Sequence, residues 1–147
     1  MERTPLGDNK FRILYRNGDS YEGEIENEMK NGWGVYVYAS GEKYDGCFIE
    51  DEIHGYGRYY FLSGADYEGD WSSGMKHGIG VLKFANGDLY EGSFSQDDLH
   101  GKGKYSYKNG DVFEGKFRKG ERHGEGTFEG KDGLFQKGAW VDGKFEV

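Results

Sequence analysis

Four histidines, His54, His77, His100 and His123, recur every 23 residues among acidic neighbours, an array that invites a metal-binding or acid–base reading. If the 23-residue unit is a hairpin, equivalent residues stand two strands apart, about 9.6 Å. A zinc ion needs its nitrogens about 2.0 Å from one centre, so the histidines cannot share one. Each is expected instead to bond a loop backbone or a neighbouring acid. The acids Glu50-Asp51-Glu52 lack the alternation of a calcium loop, and Cys47 has no histidine at nucleophile spacing. Phosphate-cradling glycine motifs require a following helix, and none is expected here. The chain is therefore expected to be no enzyme, with no catalytic residue, no metal and no cofactor.

The elements that position these residues follow from the same 23-residue period. Gly23, Gly46, Gly69, Gly92, Gly115 and Gly138 form one register; a second starts at Gly18, a third at Gly32 and a fourth at Gly34. Together these four registers hold 22 of the 27 glycines. Within a unit the spacing of like residues is two, the strand period, so Tyr67, Gly69 and Trp71 share one face and Glu68 and Asp70 the other. In the second strand Gly78, Gly80, Leu82 and Phe84 share a face. Asn17-Gly18, Asn86-Gly87 and Asn109-Gly110 predict type I′ hairpin turns, while Ser72-Ser73-Gly74-Met75-Lys76 reads as a polar loop. Paired glycines weaken a strand unless something needs their space, and Gly32 and Gly34 are expected to admit the ring of Tyr21 or Tyr44. A helix is excluded, because so many glycines cost about 1 kcal/mol each. One leading strand, ten from five copies and one from the tail make twelve antiparallel strands in chain order.

Glu22, Asp45, Glu68, Glu91 and Glu114 alternate onto the face opposite the rings and read as a solvated outer surface. The ring face is different, since a single-layer sheet has no second layer to cover it. Second-strand residues Tyr36, Tyr38, Tyr59, Phe61, Leu82, Phe84, Tyr105 and Tyr107 are the candidate partner-binding groove. On the other face the first copy carries Trp33, Val35 and Val37 where the fifth has Glu125, Thr127 and Glu129. The N-terminal end is thus expected to be apolar on both sides.

Bulk composition sets the class. In 147 residues there are 27 glycines and 25 aromatics, too many rings for a disordered chain. The formal net charge of −8 opposes nucleic acid and anionic lipid as main partners. Residues 21–70 hold 12 acids and 3 bases, a local charge of −9. No apolar leader or membrane-spanning stretch is visible and there is one cysteine, so a cytoplasmic location is expected.

The runs Tyr67-Glu68-Gly69-Asp70-Trp71, Met75-Lys76-His77-Gly78-Ile79-Gly80 and Ala85-Asn86-Gly87-Asp88 resemble the MORN repeat (membrane occupation and recognition nexus). The likeness extends from about Phe11 to Gly143, with five full repeats starting at 21, 44, 67, 90 and 113 and partial repeats at both ends. Residues 1–10 form an N-terminal extension and 11–147 the repeat domain. Asn31 departs from the histidine register, and Gln136-Lys137-Gly138-Ala139-Trp140 lacks the leading aromatic. The resemblance implies an all-β fold, an elongated single-layer twisted antiparallel sheet of consecutive hairpins. It also implies a non-enzymatic scaffold binding a helix or extended peptide along its aromatic face, in a cytoskeletal or ciliary assembly, and homodimers through terminal repeats. The alternative it carries is a membrane-tethering or phospholipid-binding module; repeats appended to lipid kinases and lysine methyltransferases are a third association.

Overall fold

The computed structural model describes residues 1–147. The chain is all-β, with fourteen strands and no helix, and divides into two units, Met1–Met75 and Lys76–Val147. The first unit contains β1 (Glu2–Gly7), β2 (Lys10–Leu14), β3 (Ser20–Glu26), β4 (Met29–Val37), β5 (Lys43–Ile49), β6 (Glu52–Tyr60) and β7 (Asp66–Ser72). The second contains β8 (Met75–Lys83), β9 (Leu89–Ser95), β10 (Asp98–Ser106), β11 (Val112–Arg118), β12 (Glu121–Glu129), β13 (Phe135–Val141) and β14 (Lys144–Phe145). Within each unit the strands pair antiparallel in chain order, an open meander. Twelve strands were expected; β1 and β14 are the additional two. Residues of the N-terminal extension supply β1, which pairs with β2 from Glu2↔Leu14 to Gly7↔Lys10.

Alternation holds along the first strand of each repeat. In β7, Tyr67, Gly69 and Trp71 are buried while Glu68 and Asp70 are exposed. The leading rings Tyr21, Tyr44, Tyr67, Tyr90 and Phe113 are completely buried, and the trailing Phe48, Trp71, Phe94, Phe117 and Trp140 nearly so. They meet edge to face, as ring quadrupoles favour: Tyr44 lies 5.2 Å from Phe48 and 5.8 Å from Trp71, both near perpendicular. The core of this single layer is therefore the rings themselves, stacked along one face.

The glycine pairing differs in one register from the sequence expectation. Tyr21 lies over Gly23 and Gly34, and Tyr44 over Gly46 and Gly57; a Cβ on Gly23 would stand 2.6 Å from the Tyr21 hydroxyl. Gly32 admits no ring. It has a φ of 98°, as Gly55, Gly101 and Gly124 have 90°, 82° and 97°, and it sits in a bulge where Glu24 faces residues 31–33. Only glycine enters that region without strain. The bulge has a use: the residue opposite it presents a carbonyl to a buried phenol, so Tyr21, Tyr44 and Tyr90 donate to Glu24, Cys47 and Ser93 O at 2.8, 2.9 and 2.8 Å.

The turn assignment is reversed. Asn17-Gly18 is not a type I′ turn, since Gly18 has a φ of 96° but Asn17 is not left-handed; Gly18 N–H donates to Tyr15 O at 3.1 Å and Tyr15 N–H to Asp19 O at 2.9 Å. That is a three-residue loop with glycine as the only left-handed residue. Asparagine is there because its Oδ1 accepts the Asp19 N–H at 2.9 Å. The left-handed pairs fall at the other connections, as at Asn27–Glu28 (51° and 62°), Glu50–Asp51 (46° and 71°) and Ser73–Gly74 (47° and 80°). The run read as a polar loop is thus a tight two-residue turn.

Candidate protein-binding surface

Seven of the eight candidate residues fall in two strips. In the first unit Tyr36, Tyr38, Tyr59 and Phe61 are half-buried and continuous, with ring centroids 4.6 Å (Tyr36–Tyr38), 5.9 Å (Tyr38–Tyr59) and 4.6 Å (Tyr59–Phe61) apart. In the second, Phe84 lies 5.5 Å from Tyr105, and Tyr105 lies 4.5 Å from Tyr107. Leu82 is only 8% exposed and belongs to the core beneath the surface. Two rings missed in the sequence extend the strips: Tyr15, 5.8 Å from Tyr36, and Phe128, 6.4 Å from Tyr107. Both occupy repeat registers in the terminal copies, which is the signal that finds them.

A row of carboxylates fixes the strip. Asp19 accepts the Tyr36 hydroxyl at 2.6 Å and the Ala39 N–H at 2.7 Å. Glu42 accepts from the Tyr59 hydroxyl and Leu62 N–H at 2.9 and 3.0 Å, and Asp88 from the Tyr105 hydroxyl and Lys108 N–H at 2.6 and 2.9 Å. Each acid follows the turn glycine and each tyrosine comes 17 residues later, a spacing visible in the sequence but overlooked. Where the acid's place is taken by Ala65 the residue 17 on is Leu82, and where the acid is Asp111 the ring is Phe128, so the hydroxyl bond is missing while Lys131 N–H still donates to the acid at 2.8 Å. Each hydroxyl in this register thus has its acid, although Asp111 has no hydroxyl. The hydrogen bond from Tyr36 holds the Asp19 carboxyl below its usual range, and that from Tyr105 does the same for Asp88; for Glu42 the Leu62 N–H is the main cause. Burial first, then the bonded carboxylate, pushes the phenols of Tyr36, Tyr59 and Tyr105 far up, so they stay neutral donors.

Across the face from the acids, Lys30 and Arg122 reach over the rings. Lys30 Nζ lies 5.5 Å from the Tyr36 ring and 3.2 Å from Asp51, and Arg122 lies 4.6 Å from the Trp140 ring and donates to Gly143 O at 2.8 Å. Of the histidines, His54 Nδ1 accepts the Ser73 N–H at 3.2 Å and His123 Nδ1 the Asp142 N–H at 3.4 Å, the loop-backbone role expected.

The opposite face of the first unit has its own feature. A cavity of about 570 Å³ is lined by Leu6, Leu14, Trp33, Val35 and Val37 with Arg12 and Glu22 at its rim. Trp33, 47% exposed, is held by its indole N–H on Asp45 at 2.9 Å and its backbone N–H on Glu24. The apolar outer surface expected at this end is therefore present, and β1 contributes to it through Leu6.

The profile of the MORN repeat matches residues 21–43, 44–65, 67–89, 90–112 and 113–135. The chain belongs to the MORN-repeat family. Those boundaries coincide with the leading rings, so each MORN repeat is a first strand, a tight left-handed turn, a bulged second strand and a three-residue loop. Among curated proteins no match was found. Among solved structures, this MORN chain is similar to the SAS-4 (dCPAP) TCP domain of Drosophila melanogaster, determined in complex with a proline-rich motif of Ana2 (dSTIL). That likeness has a TM-score of 0.56 at 17% identity and covers 93% of this chain and 76% of the other, a likeness of fold.

Proposed function

We propose that this MORN-repeat chain is a non-enzymatic scaffold that binds a helical or extended segment of a protein partner along its aromatic strips, in a cytoskeletal or ciliary assembly of the cytoplasm. The observation that carries this reading is the pair of ring strips, half-exposed yet rigid because acids and neighbouring rings fix them. Rigid aromatic surface binds at low ordering cost, which is what makes rings effective anchors. The fold likeness to the SAS-4 TCP domain, determined in complex with a proline-rich motif of Ana2, supports a protein partner. The structural employment of His54 and His123 supports a non-catalytic role.

The cavity beside Trp33 favours a second contact, self-association through the N-terminal repeat and the open edge of β1. Membrane tethering is the alternative, and the net charge of −8 opposes it. Affinity capture from the source cell tests the main reading. Tyr38→Ala with Phe61→Ala should abolish capture of the partner while Tyr56→Ala, on the opposite face, leaves it intact; capture surviving the first pair refutes the strip. Sedimentation with anionic vesicles at physiological salt and molar mass by light scattering test the other two.

A further inference from the structure

We propose that the ring face of the first unit takes a basic, proline-rich segment in the polyproline II conformation, laid across the strands. A proline at every third position seats between Tyr15, Tyr38 and Phe61, and a lysine or arginine of each triplet faces Asp19 or Glu42. This rests on the aromatic strip being the binding surface and names the conformation and charge of what it binds.

The pitch of the surface selects the ligand. Tyr15, Tyr38 and Phe61 occupy one register of successive repeats, so neighbours stand two strands apart, about 9.6 Å. A polyproline II helix advances about 3.1 Å per residue with three residues per turn, so its side chains return to one side every 9.3 Å or so. An α-helix returns at seven residues, about 10.5 Å, and drifts by about 1 Å at each rung. A β-strand shows one face every two residues, about 6.6 Å, and matches no rung until side chains have changed sides. Only the three-residue period stays in step with the repeat.

Charge selects it further. Residues 1–75 carry 15 acids and 7 bases and therefore the whole net charge of −8, while residues 76–147 carry 12 of each. Asp19 and Glu42 repeat at the same pitch as the rings. Their hydrogen-bond partners are neutral, a phenol and a backbone N–H in each case with Asn17 beside Asp19, so their charge is left to face a ligand. Both carboxyls are held ionised by those bonds. A ligand offering one apolar ring and one cation per triplet meets both rows at once.

Fluorescence anisotropy with labelled 12-residue probes tests this on the full chain. The probes are four Pro-Ala-Lys triplets, the same residues in blocks (four Pro, four Ala, four Lys), four Pro-Ala-Glu triplets, and an amphipathic helical peptide of the same charge. The lysine triplets should bind at least about tenfold tighter than the blocked peptide, and the glutamate triplets should not bind. Phe61→Leu, which keeps apolar volume and removes the ring, should weaken the triplet probe roughly tenfold. Glu42→Gln removes the charge and keeps one acceptor oxygen for the Leu62 N–H, while its amide N–H can donate to the Tyr59 hydroxyl; it should weaken binding roughly two- to fivefold and reduce its salt dependence. Equal binding of triplet and blocked peptides, or binding of the glutamate triplets, overturns the proposal. If the helical probe binds in a Phe61-dependent way and the triplets do not, the conformation is wrong but the strip stands. If Phe61→Leu alters neither probe binding nor partner capture, both fall.

Discussion

Gly57→Ala puts a methyl where the structure has only the Tyr44 ring. Gly57 has no left-handed φ to lose, so its backbone accepts a Cβ; the space does not, because that atom would lie 2.6 Å from Tyr44 Cε1 and closer still to the hydroxyl end. Gly64→Ala is the converse, with a φ of 97° and nothing within 4 Å. Its cost is the left-handed penalty alone, about 1–2 kcal/mol. Tyr44 is fully buried and cannot yield without giving up its bond to Cys47 O, worth about 1 kcal/mol, and its edge contacts with Phe48 and Trp71. Overpacking adds about 1–3 kcal/mol, so Gly57→Ala should cost about 3–5 kcal/mol. Urea unfolding followed by tryptophan fluorescence measures both. Combining Gly57→Ala with Tyr44→Leu should show coupling of about 1 kcal/mol or more, the smaller side chain relieving the clash. A Gly57→Ala cost no larger than that of Gly64→Ala, or strict additivity with Tyr44→Leu, would refute the glycine–ring pairing.

Other expectations follow from single contacts. Phe113 sits where the four other leading residues are tyrosines bonded to the carbonyl three residues on, so Phe113→Tyr should raise stability by about 0.5–1.5 kcal/mol in the same urea assay; destabilisation would mean the last bulge differs. Asp88→Ala removes the acceptor for Tyr105 and Lys108 N–H and should lower stability by about 1–2 kcal/mol, whereas the same change at Asp132, which bonds only Leu134 N–H, should have a smaller effect. The carboxyls of Asp19, Glu42 and Asp88 are depressed, so their contribution is present above the unfolded carboxylate range and lost as pH falls through the lower folded values; the urea midpoint should fall below about pH 4. The buried phenols are raised, Tyr90 to about 12 by burial, so stability is full below the ordinary phenol pKa of about 10 and declines above it. Tyrosinate absorbance should accordingly lag a free-tyrosine titration and then rise with unfolding.

The repeat, the strand alternation and the ring registers were legible because each rests on a spacing, 23 or 2, that survives any ignorance of geometry. Tyr67, Gly69 and Trp71 could be placed on one face from parity alone. Backbone dihedrals were not legible in this way. Asn17-Gly18 carries the composition of a type I′ turn, yet its asparagine serves through a side-chain bond to Asp19, while Glu50, ahead of Asp51, takes a left-handed angle that its residue type disfavours. Gly32 and Gly34 look equivalent in sequence, but Gly32 falls in the bulge of β4 with a left-handed φ while Gly34 lies beneath Tyr21. The acid–tyrosine pairs lie 17 residues apart, a spacing that crosses a repeat boundary and so escapes a search within repeats.

The aromatic strip as the partner surface is tested most directly by photo-crosslinking from inside it. A benzoylphenylalanine placed at Tyr38, and separately at Tyr56 on the opposite face, would be irradiated in the source cell and the adducts identified by mass. The strip predicts a partner protein joined at position 38 and none at position 56. The same adduct at 56 with none at 38 would contradict it.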